Sequence, residues 1–206
     1  MVGNAIATKL AELGHEVRMG ARDARNEKAA EWASGAGERS HGTFADAAEF
    51  GEVVFNCTAG AVSLEALEHA GEGALRGKVL VDVANPLDSS GRGLPTLTVC
   101  NDDSLGEQIQ RRFPDVRVVK TLNTMNNQVM VDPGRVPGEH DVFVCGEDAT
   151  AKEQVTELLV TFGWPPGSAI DLGGIEMARG TEMYLALWLR LMGALGTPQF
   201  NIAVVR

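Results

Sequence analysis

Arg22 and Arg25 stand three residues apart in the stretch GARDAR, directly after a short apolar run. Two guanidiniums at such a turn suit a phosphate monoester, because each presents a planar fork of donors. Two solvated surface arginines are the blander reading, and on those residues alone the better one. Other turns carry small or amide-bearing residues: Gly3 near the head of a helix-like run, Thr58-Ala59-Gly60, Asn85-Pro86 and Asn123-Thr124. The small turn at 58–60 leaves space for a flat ligand. Asn85 suits a ribose or a carboxamide, although an Asn-Pro pair is also an ordinary turn. Asn123 and Thr124 offer amide and hydroxyl groups to a carboxamide. Hydrolytic chemistry finds no support, for there is no GxSxG elbow, no HExxH and no clustered metal ligands. His15, His41, His69 and His140 each stand alone near turns and read as surface residues. No catalytic side chain and no metal ligand is expected.

The elements that must hold these turns alternate in kind. Helical spacing of Ile6, Leu10 and Leu13 predicts a helix over residues 3–13, closed by Gly14. A short strand is expected at 16–19, a polar-faced helix at 24–33, and a helix capped by Thr43 that runs to Phe50. Further strands are predicted at 53–57, 78–83, 116–121, 141–145 and 169–172, with helices at 63–69, 104–113 and 149–162. Strands separated by helices imply parallel pairing through right-handed crossovers, hence a doubly wound, mostly parallel Rossmann-type α/β sheet. Such a sheet binds ligands beyond the carboxyl ends of its strands. Each of the turns after Gly3 follows a predicted strand, and that common register weighs more than any one of them. The division expected is a nucleotide-binding domain over residues 1–145 and a smaller C-terminal portion over 146–206. That portion holds a long apolar helix at 176–195, with Tyr184 and Trp188 as anchors. It either packs within the chain or joins two copies in a homodimer.

Bulk properties narrow the partners. The 206 residues carry a net charge of −10, which disfavours nucleic acid and anionic lipid. No apolar run approaches roughly 18 residues, so no membrane span is expected. Cys57, Cys100 and Cys145 are odd in number and far apart, which reads as reduced thiols and a cytoplasmic protein. The expected partner is a small-molecule cofactor or substrate. Arginine where an acidic residue would hold a ribose 2′-hydroxyl favours NADP over NAD.

Taken together, MVGNAIATKLAELGHEV, GARDAR, GTFADAAEFGEVVFNCTAG, GKVLVDVANPL, VVKTLNTMN and LGGIEMARGTEMYLALWLRL resemble the NADP oxidoreductase family dependent on coenzyme F420, a deazaflavin. The chain is also similar to the cytosolic domain of NADPH-linked metalloreductases. The resemblance covers nearly the whole chain and includes Ala178-Arg179 and Glu182 of the late segment. It implies a phosphate loop of the form GTGMVG, of which Met1-Val2-Gly3 would be the second half. It implies that the arginine turn meets the 2′-phosphate and that Asn85 and Asn123 line the nicotinamide end. It further implies that the late helix helps form the deazaflavin site and dimerises. The chemistry implied is direct hydride exchange between stacked NADPH and deazaflavin, with no protein acid or base. TLNTMN departs from the family's commoner AFNT.

One element of that pattern is absent. A dinucleotide fingerprint needs a strand and then GxGxxG, and here only its last glycine, Gly3, is present. The missing first strand would stand at the sheet centre. Each buried amide orphaned by its loss would cost roughly 1–3 kcal/mol, against a usual stability of about 5–15 kcal/mol. A start assigned to an internal methionine is the expectation that resolves this best. A truncated product, or a strand supplied by a partner chain, would also account for it. Two other functions stay open: an NADPH-linked reductase of flavin, metal chelate or a small carbonyl or imine, and a dinucleotide-binding protein without catalysis.

Overall fold

The computed structural model describes residues 2–205, so Met1 of the expected phosphate loop lies outside the described residues. The chain opens with α1 (Val2–Glu12), which turns Ile6, Ala7 and Ala11 inward. Gly14, at φ 88°, turns the chain into β1 (Val17–Ala21). Next come α2 (Glu27–Ala33), β2 (Arg39–Thr43) and α3 (Phe44–Phe50). The start of α3 is fixed by a reciprocal cap: Asp46 donates its amide to Thr43 Oγ1 at 3.1 Å, and the Thr43 amide donates to Asp46 Oδ2 at 2.7 Å. Then follow β3 (Val53–Asn56), α4 (Ser63–Ala70), α5 (Glu72–Leu75) and β4 (Val79–Asp82). A small hairpin of β5 (Leu87–Asp88) and β6 (Thr96–Leu97) precedes α6 (Leu105–Arg112) and β7 (Arg117–Thr121). The chain closes with α7 (Asn127–Val131), β8 (Val142–Cys145), α8 (Ala149–Phe162), β9 (Ala169–Asp171) and α9 (Ala178–Leu195).

The main sheet has the order β3-β4-β7-β8-β9. All its pairs are parallel except β7 with β8. Those two pair antiparallel because α7 and a turn at Pro133–Arg135 bring the chain back, which agrees with the mostly parallel sheet expected. Every residue of β4 is buried, as a strand covered on both faces requires. One face packs Ile6, Val81, Val119, Val155 and Trp164 together. The other packs Leu67, Leu80, Ile109, Phe113 and Val118. A third cluster joins Leu185, Trp188 and Leu189 of α9 to Phe200, whose ring stacks on Trp188 with centroids 5.4 Å apart. The Rossmann-type α/β class expected from sequence is the one observed.

β1 and β2 form a separate parallel pair. No described strand joins it to β3. The break falls where the missing strand is expected, between the first strand that the sequence predicts and the one at residues 53–56. β2 itself was not expected: its sequence, RSHGT, has no apolar residue to betray a strand.

Candidate functional site

The parallel strands β3, β4 and β7 end side by side, with Asn56 opposite Asp82 and Asp82 opposite Lys120. These three residues form a buried polar chain under the strand ends. Asn56 Nδ2 donates to Asp82 Oδ1 at 2.9 Å and to Ser63 Oγ at 3.1 Å. Lys120 Nζ donates to Asp82 Oδ2 at 2.8 Å, to the Ala84 carbonyl at 2.6 Å, and meets Glu182 Oε1 of α9 at 2.7 Å. Glu182 also accepts the amides of Leu105 at 2.8 Å and Gly106 at 3.0 Å, where α6 begins and its dipole favours negative charge. Burial of Lys120 by itself favours the neutral amine, but Asp82 and Glu182 outweigh it and the ammonium's pKa stands above its ordinary value. Sequence reasoning assigned no role to this ion triad. The signal was there, since Lys and Asp inside otherwise apolar strands must find partners.

The turns above this chain sit close together. Gly60 packs its α-carbon against the Asn85 carbonyl and Pro86 so tightly that a β-carbon would overlap both. The turn after β3 and the turn after β4 therefore share one surface. Thr58 is held below it, with Oγ1 donating to Asn56 Oδ1 at 2.6 Å, while Ala59 is exposed. Asn85 Nδ2 donates to the Asn123 carbonyl at 2.7 Å, and Asn123 Nδ2 returns a bond to Asn85 Oδ1 at 3.0 Å. Asn123 Nδ2 also lies 3.4 Å from Thr181 Oγ1 on α9. Asn85 is half-buried, whereas Asn123 and Thr124 are buried. Leu122, between β7 and Asn123, is buried in the left-handed region at φ 61°. That conformation is strained for a leucine, and strain held by surrounding packing is characteristic of functional turns.

The structure joins Thr58, Gly60, Asn85, Pro86 and Asn123 at these strand ends. Gly3 lies on α1, where an added β-carbon would stand 3.4 Å from that of Cys57, so its smallness serves close packing of helix on sheet. Burial and the Asp82 charge push the Cys57 thiol up to about 12, which keeps it protonated and unreactive. Arg22 and Arg25 follow β1 and are exposed. Arg25 turns to Asp23, whose Oδ1 accepts the Arg25 amide at 2.8 Å and meets its Nε at 3.4 Å. Arg22 has no ion pair among the described residues. Asp23 thus occupies one of the two guanidiniums expected to flank a phosphate, and Arg22 is left without an ion pair among the described residues. Glu107 takes Arg179 of α9 through two contacts of 2.8 and 2.5 Å.

A free arginine after β1, a side-chain-free surface at Gly60 and a braced amide at Asn85 fit a long ligand with a phosphate at one end. No helix among the described residues is long and apolar enough to cross a membrane. Among them no three or more His, Cys, Asp or Glu residues cluster as metal ligands would.

A family model described as NADP oxidoreductase, coenzyme F420-dependent, matches residues 1–86. A solved structure from Arthrobacter sp. FB24, provisionally named an F420-dependent NADP-reductase, superposes with a TM-score of 0.93 at 51% identity, covering 100% of this chain and 95% of that one. The F420-dependent NADP reductase of Methanothermobacter marburgensis is 30% identical over 198 residues, 92% of this chain and 87% of its own length. Metalloreductase STEAP3 of Rattus norvegicus is 31% identical over 124 residues, which is 60% of this chain but only 22% of the rat protein.

Proposed function

This chain belongs to the coenzyme F420-dependent NADP oxidoreductase family, and on that basis we propose that it transfers hydride between NADPH and a deazaflavin acceptor. The observation that carries the proposal is the run of ligand-ready turns at the carboxyl ends of β1, β3, β4 and β7, with Arg22 unpaired at one end. When bound, the nicotinamide and the deazaflavin supply the hydride chemistry themselves. The protein's part is position and electrostatics. In this reading Arg22 holds the 2′-phosphate through charge-assisted hydrogen bonds. Gly60 lets the ligand lie flat across the ends of β3 and β4. Asn85 presents its amide toward ribose or carboxamide, and Asn123, itself buried, fixes the orientation of that amide. Thr181 and Glu182 tie α9 to the same strand ends. Residues 1–145 thus hold the nucleotide, and residues 146–206 contribute the acceptor side through α9. No side chain is assigned as acid or base.

A second acceptor class has its own support. The match to a metalloreductase favours NADPH-linked reduction of a flavin or a metal chelate on the same nucleotide site. One assay separates the two: NADPH oxidation with deazaflavin, flavin and ferric chelate offered in turn. Turnover confined to the deazaflavin is the expected result. Turnover of flavin or chelate with none of deazaflavin would replace the first reading by the second.

The homodimer through residues 176–195 is proposed on the outward face of α9, where Leu187 and Leu195 are more than half exposed. Sedimentation at increasing concentration tests it, and a monomer throughout would remove it.

A further inference from the structure

Among the described residues three buried side-chain polar atoms have no hydrogen-bond partner: Arg39 Nε, Trp188 Nε1 and Asn201 Oδ1. Two of them share one neighbourhood. α9 ends at Leu195, Gly196 turns the chain at φ 67°, and residues 197–205 return across the molecule to the start of β8. On the way Phe200 stacks on Trp188, with centroids 5.4 Å apart, and covers the cluster of Leu185, Trp188 and Leu189. The segment is then fastened to Asp141 by three bonds. The Asp141 amide donates to the Ile202 carbonyl at 2.8 Å, the Val204 amide donates to Asp141 Oδ2 at 2.7 Å, and Asn201 Nδ2 donates to the Asp141 carbonyl at 2.9 Å.

A fourth bond depends on protonation. His140 Nε2 stands 3.0 Å from the Pro133 carbonyl, which can only accept, so Nε2 carries a hydrogen. Its Nδ1 stands 2.9 Å from Asn201 Nδ2, which can only donate, so Nδ1 must be bare. Both ring nitrogens are thus assigned, and the imidazole is neutral while the segment is docked. Trp164 meets the ring edge-on at 5.2 Å and holds its plane. A proton on Nδ1 would set two donors against each other. Turning the Asn201 amide over would satisfy Nδ1 but would aim Oδ1 at the Asp141 carbonyl, oxygen against oxygen. Protonation therefore costs the segment a bond in either orientation.

We propose that His140 and Asn201 form a pH-sensitive latch, which docks residues 197–205 on α9 while the imidazole is neutral and releases them when it is protonated. The charged side chains about the ring are Glu139 and Asp141, on either side of it in the chain, and the Asp132–Arg135 pair of the turn that supplies the Pro133 carbonyl. Trp164 and residues 197–205 bring none. The flanking carboxylates favour an imidazolium, so the opposition to it comes from the Asn201 bond. The released state binds the extra proton without losing that bond, and docking therefore weakens as pH falls. Imidazole is the side chain that changes charge between about pH 8 and pH 5. Release takes Phe200 off Trp188 and uncovers the apolar face of α9 together with the unpartnered indole N–H. The latch is independent of the hydride reading, because its test involves no NADPH.

Amide exchange of the 206-residue chain at about pH 7.5 and about pH 5.5, each corrected for the intrinsic rate at that pH, reads the docking directly. Protection of the Asp141 and Val204 amides should fall roughly tenfold or more at the lower pH, while that of Leu80 in β4 stays. In His140→Gln, whose amide does not titrate over this range, the fall should vanish. Nitrogen NMR of the imidazole needs no variant, and at pH 7.5 it should show the hydrogen on Nε2. The proposal is overturned by a hydrogen on Nδ1 at that pH, or by Asp141 and Val204 protection that does not change with pH. An equal fall in His140→Gln would assign the effect to another group, such as Asp141, and overturn it too. So would an equal fall at Leu80, which would mean that the whole chain opens and not the latch.

Discussion

A phosphate on the ribose needs a cation not already spent, and Arg22 meets that condition where Arg25 does not. Hydrogen bonds to charged groups contribute about 1.5–3 kcal/mol, which is roughly a 10- to 100-fold change in affinity. Arg22→Ala should therefore weaken NADPH by about that factor in titration calorimetry and leave NADH nearly unchanged. Adding Arg25→Ala should change little more, because Asp23 already holds Arg25. Equal losses for both nucleotides would end the 2′-phosphate assignment. Lys120 poses a different problem at the same scale. Lys120→Met leaves Asp82 and Glu182 buried without their cation, and breaking a buried pair costs about 3–5 kcal/mol. Urea denaturation should show that loss. Its pH dependence has a definite sign. The folded-state pKa of Lys120 lies above its ordinary value of 10.5. The stabilisation is thus fully present below that value and is lost as pH rises through the folded pKa. The gap between the two proteins should stay constant from neutral pH to about pH 10 and close only above it. A gap already closed at about pH 9 would mean that Lys120 is not the group responsible.

Elements decide which residues meet, and here the turns matter more than the strands. Gly60 has no room for a β-carbon beside the Asn85 carbonyl and Pro86. Gly60→Ala must push the turn after β3 away from the turn after β4. Overpacking of this kind costs typically about 1–3 kcal/mol. Both the melting temperature and the affinity for NADPH should fall, whereas Gly73→Ala, at an open position of α5, should spare both. An unchanged affinity at Gly60→Ala would show that the ligand does not cross this surface. The same elements show what could be read from the residues alone. Helices α1, α3, α6 and α8 were visible because their apolar spacing and caps are local. β4 and β7 were visible because strands buried on both faces are written as apolar runs. β2 was hidden, since RSHGT pairs only on one side and buries little. The β5–β6 hairpin and α7 were hidden because they are too short for periodicity to register. The antiparallel return of β8 was hidden for another reason: strand direction depends on the connection, not on the strand's own residues. At the site, the strand-end turns were legible from their positions. The Lys120–Asp82–Glu182 triad was not, because Glu182 stands 62 positions after Lys120 and meets it only in three dimensions.

At the scale of the whole molecule, the broken sheet divides the chain into two regions with unequal support. The main sheet is continuous from β3 to β9, and its central strands carry core on both faces. The β1–β2 pair has no ladder to it among the described residues. It is held by α3, whose Phe44 and Ala47 pack on Gly20, and by α2, whose Trp32 donates to Thr8 Oγ1 on α1 at 3.0 Å. Backbone hydrogen bonds between sheets ordinarily couple strands into one cooperative unit. Without them, regions open with different free energies. The amides of Met19 and Ala21, bonded within the β1–β2 pair, should therefore exchange faster than those of Leu80 and Val119 by several orders of magnitude. Native-state exchange in low denaturant measures the difference. If all four amides exchanged with one common free energy, side-chain packing through α1 and α3 would already be joining the two regions. The chain would then open as a single cooperative unit.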